Sequence, residues 1–174
     1  MGTLAQVSTM GPDRVGLVSA ITGTLFDNGV NLRDASFTVL GRGAEFTAVC
    51  ELPGTLDLAA LQEDLADLPE LADAQVRVTA FAFDPAPGPL GRVTHRVEVS
   101  GGDQPGLIAR MSEIFTQFDA NIVRLDAQTL PEPDGERYAI RFAVSIPEER
   151  RTPCLAAVSN TAESLGLTCR TEEL

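Results

Sequence analysis

Apolar and polar positions along the chain repeat with two periods, and the change from one period to the other marks the elements. Phe46, Ala48, Cys50 and Leu52 alternate with Glu45, Thr47, Val49 and Glu51, the pattern of a strand whose sheet is covered on one face. Tyr138, Ile140, Phe142, Val144 and Ile146 alternate more strictly with Ala139, Arg141, Ala143 and Ser145. Helical spacing appears at Leu58, Leu61, Leu65 and Leu68, with Asp57, Glu63, Asp64 and Asp67 opposite, and predicts a helix over Leu56–Leu68. Leu155, Val158, Ala162 and Leu165 repeat that spacing in a helix expected over Thr152–Leu165. Val18, Ile21 and Leu25 give an apolar stripe to a helix over Val15–Asn28, which Gly29 stops. Strands are expected at Leu4–Thr9, Val30–Leu40, Ala44–Leu52 and Gln75–Phe83, the middle two joined by a Gly41-Arg42-Gly43 hairpin turn. The remaining chain reads as strand Arg92–Ser100, helix Pro105–Phe118, strands Asn121–Thr129 and Arg137–Ile146, and strand Leu167–Thr171.

The same order is therefore written twice. Gly11-Pro-Asp-Arg-Val-Gly-Leu-Val recurs ninety positions later as Gly101-Gly-Asp-Gln-Pro-Gly-Leu-Ile, and the register continues without a gap through Ile21/Met111, Leu25/Phe115, Asn31/Asn121 and Leu32/Ile122. A repeat of this length exceeds a solenoid step and suits a duplicated domain. Each half reads β-α-β-β-α-β, which predicts an α+β fold: two ferredoxin-like units, each a four-stranded antiparallel sheet covered on one face by two helices. The stretch Asp84-Pro-Ala-Pro-Gly-Pro-Leu-Gly91 continues neither helix nor central strand, because its prolines lack amide donors. The expected organisation is a first domain over 1–84, a semi-extended Pro/Gly linker over 85–91 and a second domain over 92–174. The uncovered sheet faces and edges need something to cover or pair with them, and the nearest candidate is the other copy.

Composition narrows the function. The 174 residues carry 13 Lys and Arg against 25 Asp and Glu, a formal net charge of -12, which repels a phosphate backbone and argues against direct nucleic-acid binding. No apolar run is long enough to span a membrane and no secretory leader is evident, so a cytoplasmic protein is expected. Cys50, Cys154 and Cys169 are odd in number and widely spaced, and read as buried free thiols. His95, the single histidine, reads as a satisfied structural or exposed residue. Without a nucleophile motif or metal-ligand spacing, no catalytic residue, metal or cofactor is expected. An RNA reader of this fold needs aromatics after a basic Arg-Gly, and here Arg42-Gly43 is followed by Ala44, Glu45 and Phe46; a copper chaperone needs two neighbouring cysteines.

The repeat keeps glycine and polar identities together only in the loop after each first strand. Gly16 and Gly106 would bare the backbone where a helix has free N–H groups, an arrangement suited to a carboxylate. Pro105 fits the first helical position, which needs no donor. Asp13 and Asp103 are candidate caps of those helices, and Asn31 and Asn121 are placed on the same rim of the sheet. Amide donors for a carboxylate and side-chain oxygens for an ammonium group are what a free α-amino acid requires. A structural reading stands beside this one: glycine for close packing, aspartate to cap, asparagine to start a strand after a left-handed turn.

Asp13-Arg-Val-Gly-Leu-Val and Asp103-Gln-Pro-Gly-Leu-Ile, followed by Asn31-Leu32 and Asn121-Ile122, resemble the signature of ACT domains, small regulatory modules that bind amino acids. Two tandem copies cover nearly the whole chain. Val39-Leu-Gly and Glu45-Phe-Thr in the first copy look like the glycine cleavage system transcriptional repressor family. The resemblance implies a regulator without its own DNA-binding motif, acting on a LysR-type transcriptional activator and responding to a small amino acid such as glycine. It also implies a homo-oligomer in which ACT units join side by side into eight-stranded sheets, with effectors at their interfaces. The ligand-binding residues it points to are Asp13, Arg14, Val15, Gly16, Leu17, Asn31 and Leu32 in the first copy, and Asp103, Gln104, Pro105, Gly106, Leu107, Asn121 and Ile122 in the second. The loops differ at Arg14/Gln104 and Val15/Pro105, so they need not be equally competent. A protein-interaction module that uses no ligand fits the same residues.

Overall fold

The first half runs β1 (Thr3–Pro12), α1 (Leu17–Asp27), β2 (Asn31–Leu40), β3 (Gly43–Leu52), α2 (Leu58–Ala66) and β4 (Gln75–Ala80). The second runs β5 (His95–Gly101), α3 (Leu107–Gln117), β6 (Asn121–Glu132), β7 (Gly135–Ser145), α4 (Arg151–Ser164) and β8 (Thr168–Glu173). This computed structural model describes residues 2–86, 88–133 and 135–174, and the chain divides into two compact units, Met1–Pro85 and Ala86–Leu174. Each unit has one four-stranded antiparallel sheet, in the orders β2-β3-β1-β4 and β6-β7-β5-β8. Both are ferredoxin-like, and the fold is α+β.

The alternating residues fill the cores as their period requires. Phe46, Ala48, Cys50 and Leu52 are buried against α1 and α2, and Ile140, Phe142, Val144 and Ile146 are buried in the second unit, where Phe115 and Phe142 meet edge to face at 5.3 Å. In α1 the buried stripe is Leu17, Ile21 and Leu25. Val18 lies on the flank of that i, i+4 row and is 41% exposed, against expectation.

Three other expectations are corrected. The hairpin strands expected to stop at Thr129 and resume at Arg137 run further: Leu130, Pro131 and Glu132 pair with Arg137, Glu136 and Gly135, almost to the turn. Pro131 is tolerated because β6 is an edge strand; Asp134 lies outside the described residues. The end of the expected spacer is not extended, because Pro89–Gly91 form one 3-10 turn closed by Gly91 N–H donating to Gly88 O at 2.8 Å; Pro87 lies outside the described residues. His95 is buried at the start of β5, its Nδ1 2.9 Å from Thr94 Oγ1 and its Nε2 without a partner among the described residues, so it is only half satisfied. Burial holds its pKa below the ordinary histidine value, Glu173 pulling it up and Arg151 down by smaller amounts. All three cysteines are free thiols; Cys50 and Cys154 are buried and Cys169 is half-buried.

Candidate functional site

The loop that links β1 to α1 ends at Gly16, and its counterpart between β5 and α3 ends at Gly106. Each is the residue that caps its helix, in a left-handed backbone conformation with φ +94° and +79°. That conformation is what selects glycine, because the left-handed region costs other L-residues energy. A Cβ at either position would meet nothing within 4 Å, so these two glycines face open space. Gly11 and Gly101 are different: a Cβ there would come within 2.5 Å of Ala74 Cβ and of Leu167 Cδ2 respectively. The repeated glycines thus divide into a pair that admits close packing and a pair that turns the chain beside an empty surface.

Because Gly16 and Gly106 are the caps, α1 begins at Leu17 and α3 at Leu107. Pro105 is therefore outside its helix, and neither Asp13 nor Asp103 caps one, since no side chain among the described residues accepts from the first turn of α1 or α3. Ala20 N–H donates to Gly16 O at 2.8 Å and Arg110 N–H to Gly106 O at 3.0 Å, while Leu17 N–H and Leu107 N–H turn back to Arg14 O at 3.4 Å and Gln104 O at 3.2 Å, which leaves the N–H groups of Val18 and Ser19 and of Ile108 and Ala109 directed out of the helix ends. Asp13, Val15, Asp103 and Pro105 are exposed around those ends, whereas Leu17 and Leu107 are buried in the cores and Leu32 and Ile122 pack partly buried against them.

Arg14 and Gln104 have the same structural role with different chemistry. Arg14 Nη1 donates to the carbonyls of Pro69 and Glu70 at 3.2 and 3.3 Å, and its Nη2 lies 3.3 Å from Asp73 Oδ2. Gln104 Nε2 donates to Leu165 O at 2.8 Å. Each side chain pins its glycine loop to the connection that follows the unit's second helix, and is occupied in doing so.

Asn31 and Asn121 are not on the glycine rim of their own unit. Asn31 pairs with Glu51, which pairs with Leu4 near the start of β1, whereas the glycine loop follows the end of β1. β1 and β2 are parallel, so the intervening helix returns the chain to the opposite end of the sheet, roughly 23 Å away along seven strand residues. The second unit repeats this arrangement. Asn31 is exposed beside a shallow hollow of about 340 Å³ that Gly29, Glu51 and Pro53 also line, while Asn121 Nδ2 donates to Leu90 O at 2.8 Å. Directly after each asparagine the register shifts, between Leu32 and Asp34 and between Ile122 and Arg124, a bulge at the same place in both edge strands. The hydrophobic pattern carries no sign of it.

The chain holds two βαββαβ units in tandem, each with an open left-handed glycine ahead of its first helix, and a family model for the ACT domain matches residues 5–70. The first unit is thus similar to the ACT domain over residues 5–70, and the second unit repeats its element order and sheet topology. The chain resembles the glycine cleavage system transcriptional repressors: it is 28% identical over 167 residues to that repressor of Escherichia coli (strain K12), a match covering 94% of this chain and 82% of the relative. The repressor of Shigella flexneri matches with the same figures. Among solved structures, an unknown protein from Galdieria sulphuraria superposes with a TM-score of 0.76 at 23% identity, covering 100% of this chain and 99% of the other. A candidate glycine cleavage system transcriptional repressor superposes with a TM-score of 0.68 at 14% identity, covering 100% and 98%. At those identities the structural likeness establishes the fold. Among the described residues no helix is long and apolar enough to cross a membrane.

Proposed function

We propose that this chain is a non-catalytic regulator that responds to a small amino acid, glycine first, and controls transcription of glycine cleavage through a protein partner rather than by contacting DNA. The observation that carries the reading is the pair of glycine-capped helix starts, open to solvent and each with two first-turn N–H groups outside the helix's own bonding, repeated ninety residues apart. Such a start favours a carboxylate through aligned amide dipoles. The ammonium group is met by acceptors other than the asparagine of the same unit, which lies at the far end of the sheet. The similarity to glycine cleavage repressors supports a regulatory role, and a net charge of -12 disfavours direct contact with DNA. A LysR-type activator is the partner to which the resemblance points.

Calorimetric titration and thermal melting with a panel of amino acids test the reading. Glycine or serine is expected to bind at millimolar concentration or better; at a hundred times Kd the ligand adds about 2.7 kcal/mol of stability. Gly16→Val with Gly106→Val should remove the response while the circular dichroism spectrum is retained. A panel in which no amino acid binds overturns sensing and supports a ligand-independent interaction module. That second reading is favoured by the side chains already in use: Arg14, Gln104 and Asn121 all donate to the protein's own carbonyls.

A further inference from the structure

The helices of the second unit leave one face of its sheet open, and cross-strand register sets two rows of side chains across it. One row runs Arg124, Ala143, Arg96, Glu172 from β6 through β7 and β5 to β8. The next runs Asp126, Arg141, Glu98, Arg170, with Arg141 Nε 3.0 Å from Glu98 Oε2 and its Nη1 3.6 Å from Asp126 Oδ1. Arg141 balances one of those two negative charges, and Arg137 Nη2 lies 3.9 Å from Glu98 Oε1 on its other side. In the first row Arg96 reaches Glu172 at 3.4 Å, both side chains largely exposed, while Arg124 has no ion pair among the described residues. Ala143, the one short side chain, separates Arg124 from Arg96, whose backbones are roughly 10 Å apart across two strand spacings. The result is a hollow of about 420 Å³ floored at Ala143, within the range of small-molecule sites.

The internal repeat shows that the fold does not require these arginines. The corresponding row of the first sheet is Asp34, Val49, Gln6, Thr79, and the next is Ser36, Thr47, Ser8, Arg77, in which only Arg77 matches an arginine of the second sheet, Arg170. The same architecture is built there with no guanidinium at the positions of Arg124, Arg96 and Arg141, and with valine filling the place of Ala143. In a chain of net charge -12, a hollow lined by four arginines, Arg96, Arg124, Arg141 and Arg170, against three carboxylates, Glu98, Asp126 and Glu172, is a local positive exception that packing does not explain.

We propose that this hollow binds a small multivalent oxyanion, a phosphate ester or a polycarboxylate, held over Ala143 by Arg124, Arg96 and Arg141. Guanidinium forks match such groups in bidentate geometry. The surrounding Asp126, Glu98 and Glu172 limit the occupant to a compact anion, because an extended nucleic-acid backbone or an acidic peptide strand would run its further charges against them. This site is separate from the glycine-capped helix starts and does not depend on their function.

The test is calorimetry and thermal melting of the full chain with pyrophosphate and with citrate, each against sodium chloride at matched ionic strength. Saturable binding of at least one probe is expected, with a rise in Tm that chloride does not reproduce. Arg124→Gln should weaken binding at least tenfold, and Ala143→Val, which installs the residue of the first sheet, should abolish it while leaving the unliganded Tm within a few degrees. Arg77→Gln, on the other sheet, should change nothing. Failure of both probes to saturate overturns the proposal, as does unchanged binding in Arg124→Gln and Ala143→Val. Capture of a poly-glutamate peptide in place of both probes would also overturn it, in favour of a protein-binding face.

Discussion

Replacing Gly106 separates two reasons for a glycine that look alike in a sequence. Its φ of +79° and ψ of 9° place it in the left-handed basin, and an added Cβ would have no neighbour within 4 Å. The penalty for Gly106→Ala is therefore conformational alone, about 1–2 kcal/mol, and Gly106→Asn should cost less, because asparagine tolerates that basin. For a unit of this size each kcal/mol lowers Tm by roughly 4–8 °C. Gly11→Ala is the contrast: its Cβ would press to 2.5 Å from Ala74 Cβ and 2.8 Å from Ala74 Cα, backbone-proximal atoms that cannot swing away, so an overpacking cost of about 1–3 kcal/mol or more is expected. Here asparagine should be worse than alanine. Urea and thermal unfolding of the four variants, followed by circular dichroism, give the ranking. If Gly106→Asn is as damaging as Gly106→Ala, or if either unfolds the second unit outright, the residue serves packing and the open turn is not what it is argued to be.

Three other outcomes follow from the structure. His95 is buried with its pKa lowered, so the unfolded chain takes up a proton at about pH 6.5 before the folded one does; stability should fall as pH drops below that value, and His95→Leu should flatten this part of the pH profile measured by urea unfolding. Arg14→Ala should cost about 1–2 kcal/mol through the lost carbonyl contacts of Pro69 and Glu70, whereas Asp73→Asn, which keeps its left-handed backbone and loses an exposed ion pair, should cost less than 0.5 kcal/mol or about nothing; equal costs in the two variants would refute the assignment. Burial pushes the Cys50 and Cys154 thiols up to about 11, so at pH 8 a thiol reagent should label half-buried Cys169 first and the other two only on unfolding.

Much of the fold was legible because its signals are local. Strict alternation at Phe46–Leu52 and Tyr138–Ile146 reports a covered sheet face wherever the strand sits, and leucine spacing reports a helix before anything packs on it. The candidate site was legible only in part. Asp13 and Asp103 have the composition of helix caps, but whether a side chain or a left-handed glycine ends the loop depends on backbone angles that several residues decide together. The roles of Arg14 and Gln104 were hidden because their partners, at Pro69, Glu70 and Leu165, are some sixty residues away.

By itself, the sequence determined the duplication, the βαββαβ order and the faces of its strands and helices, since periodicity and internal identity need no third dimension. Tertiary structure alone decided that Asn31 and Gly16 stand at opposite ends of one sheet, that Pro131 continues an edge strand, and that Arg124, Arg96 and Arg141 converge on Ala143. Each of these depends on which strands become neighbours and in which register, and that is set by burial summed over the whole unit rather than by any residue's own preference.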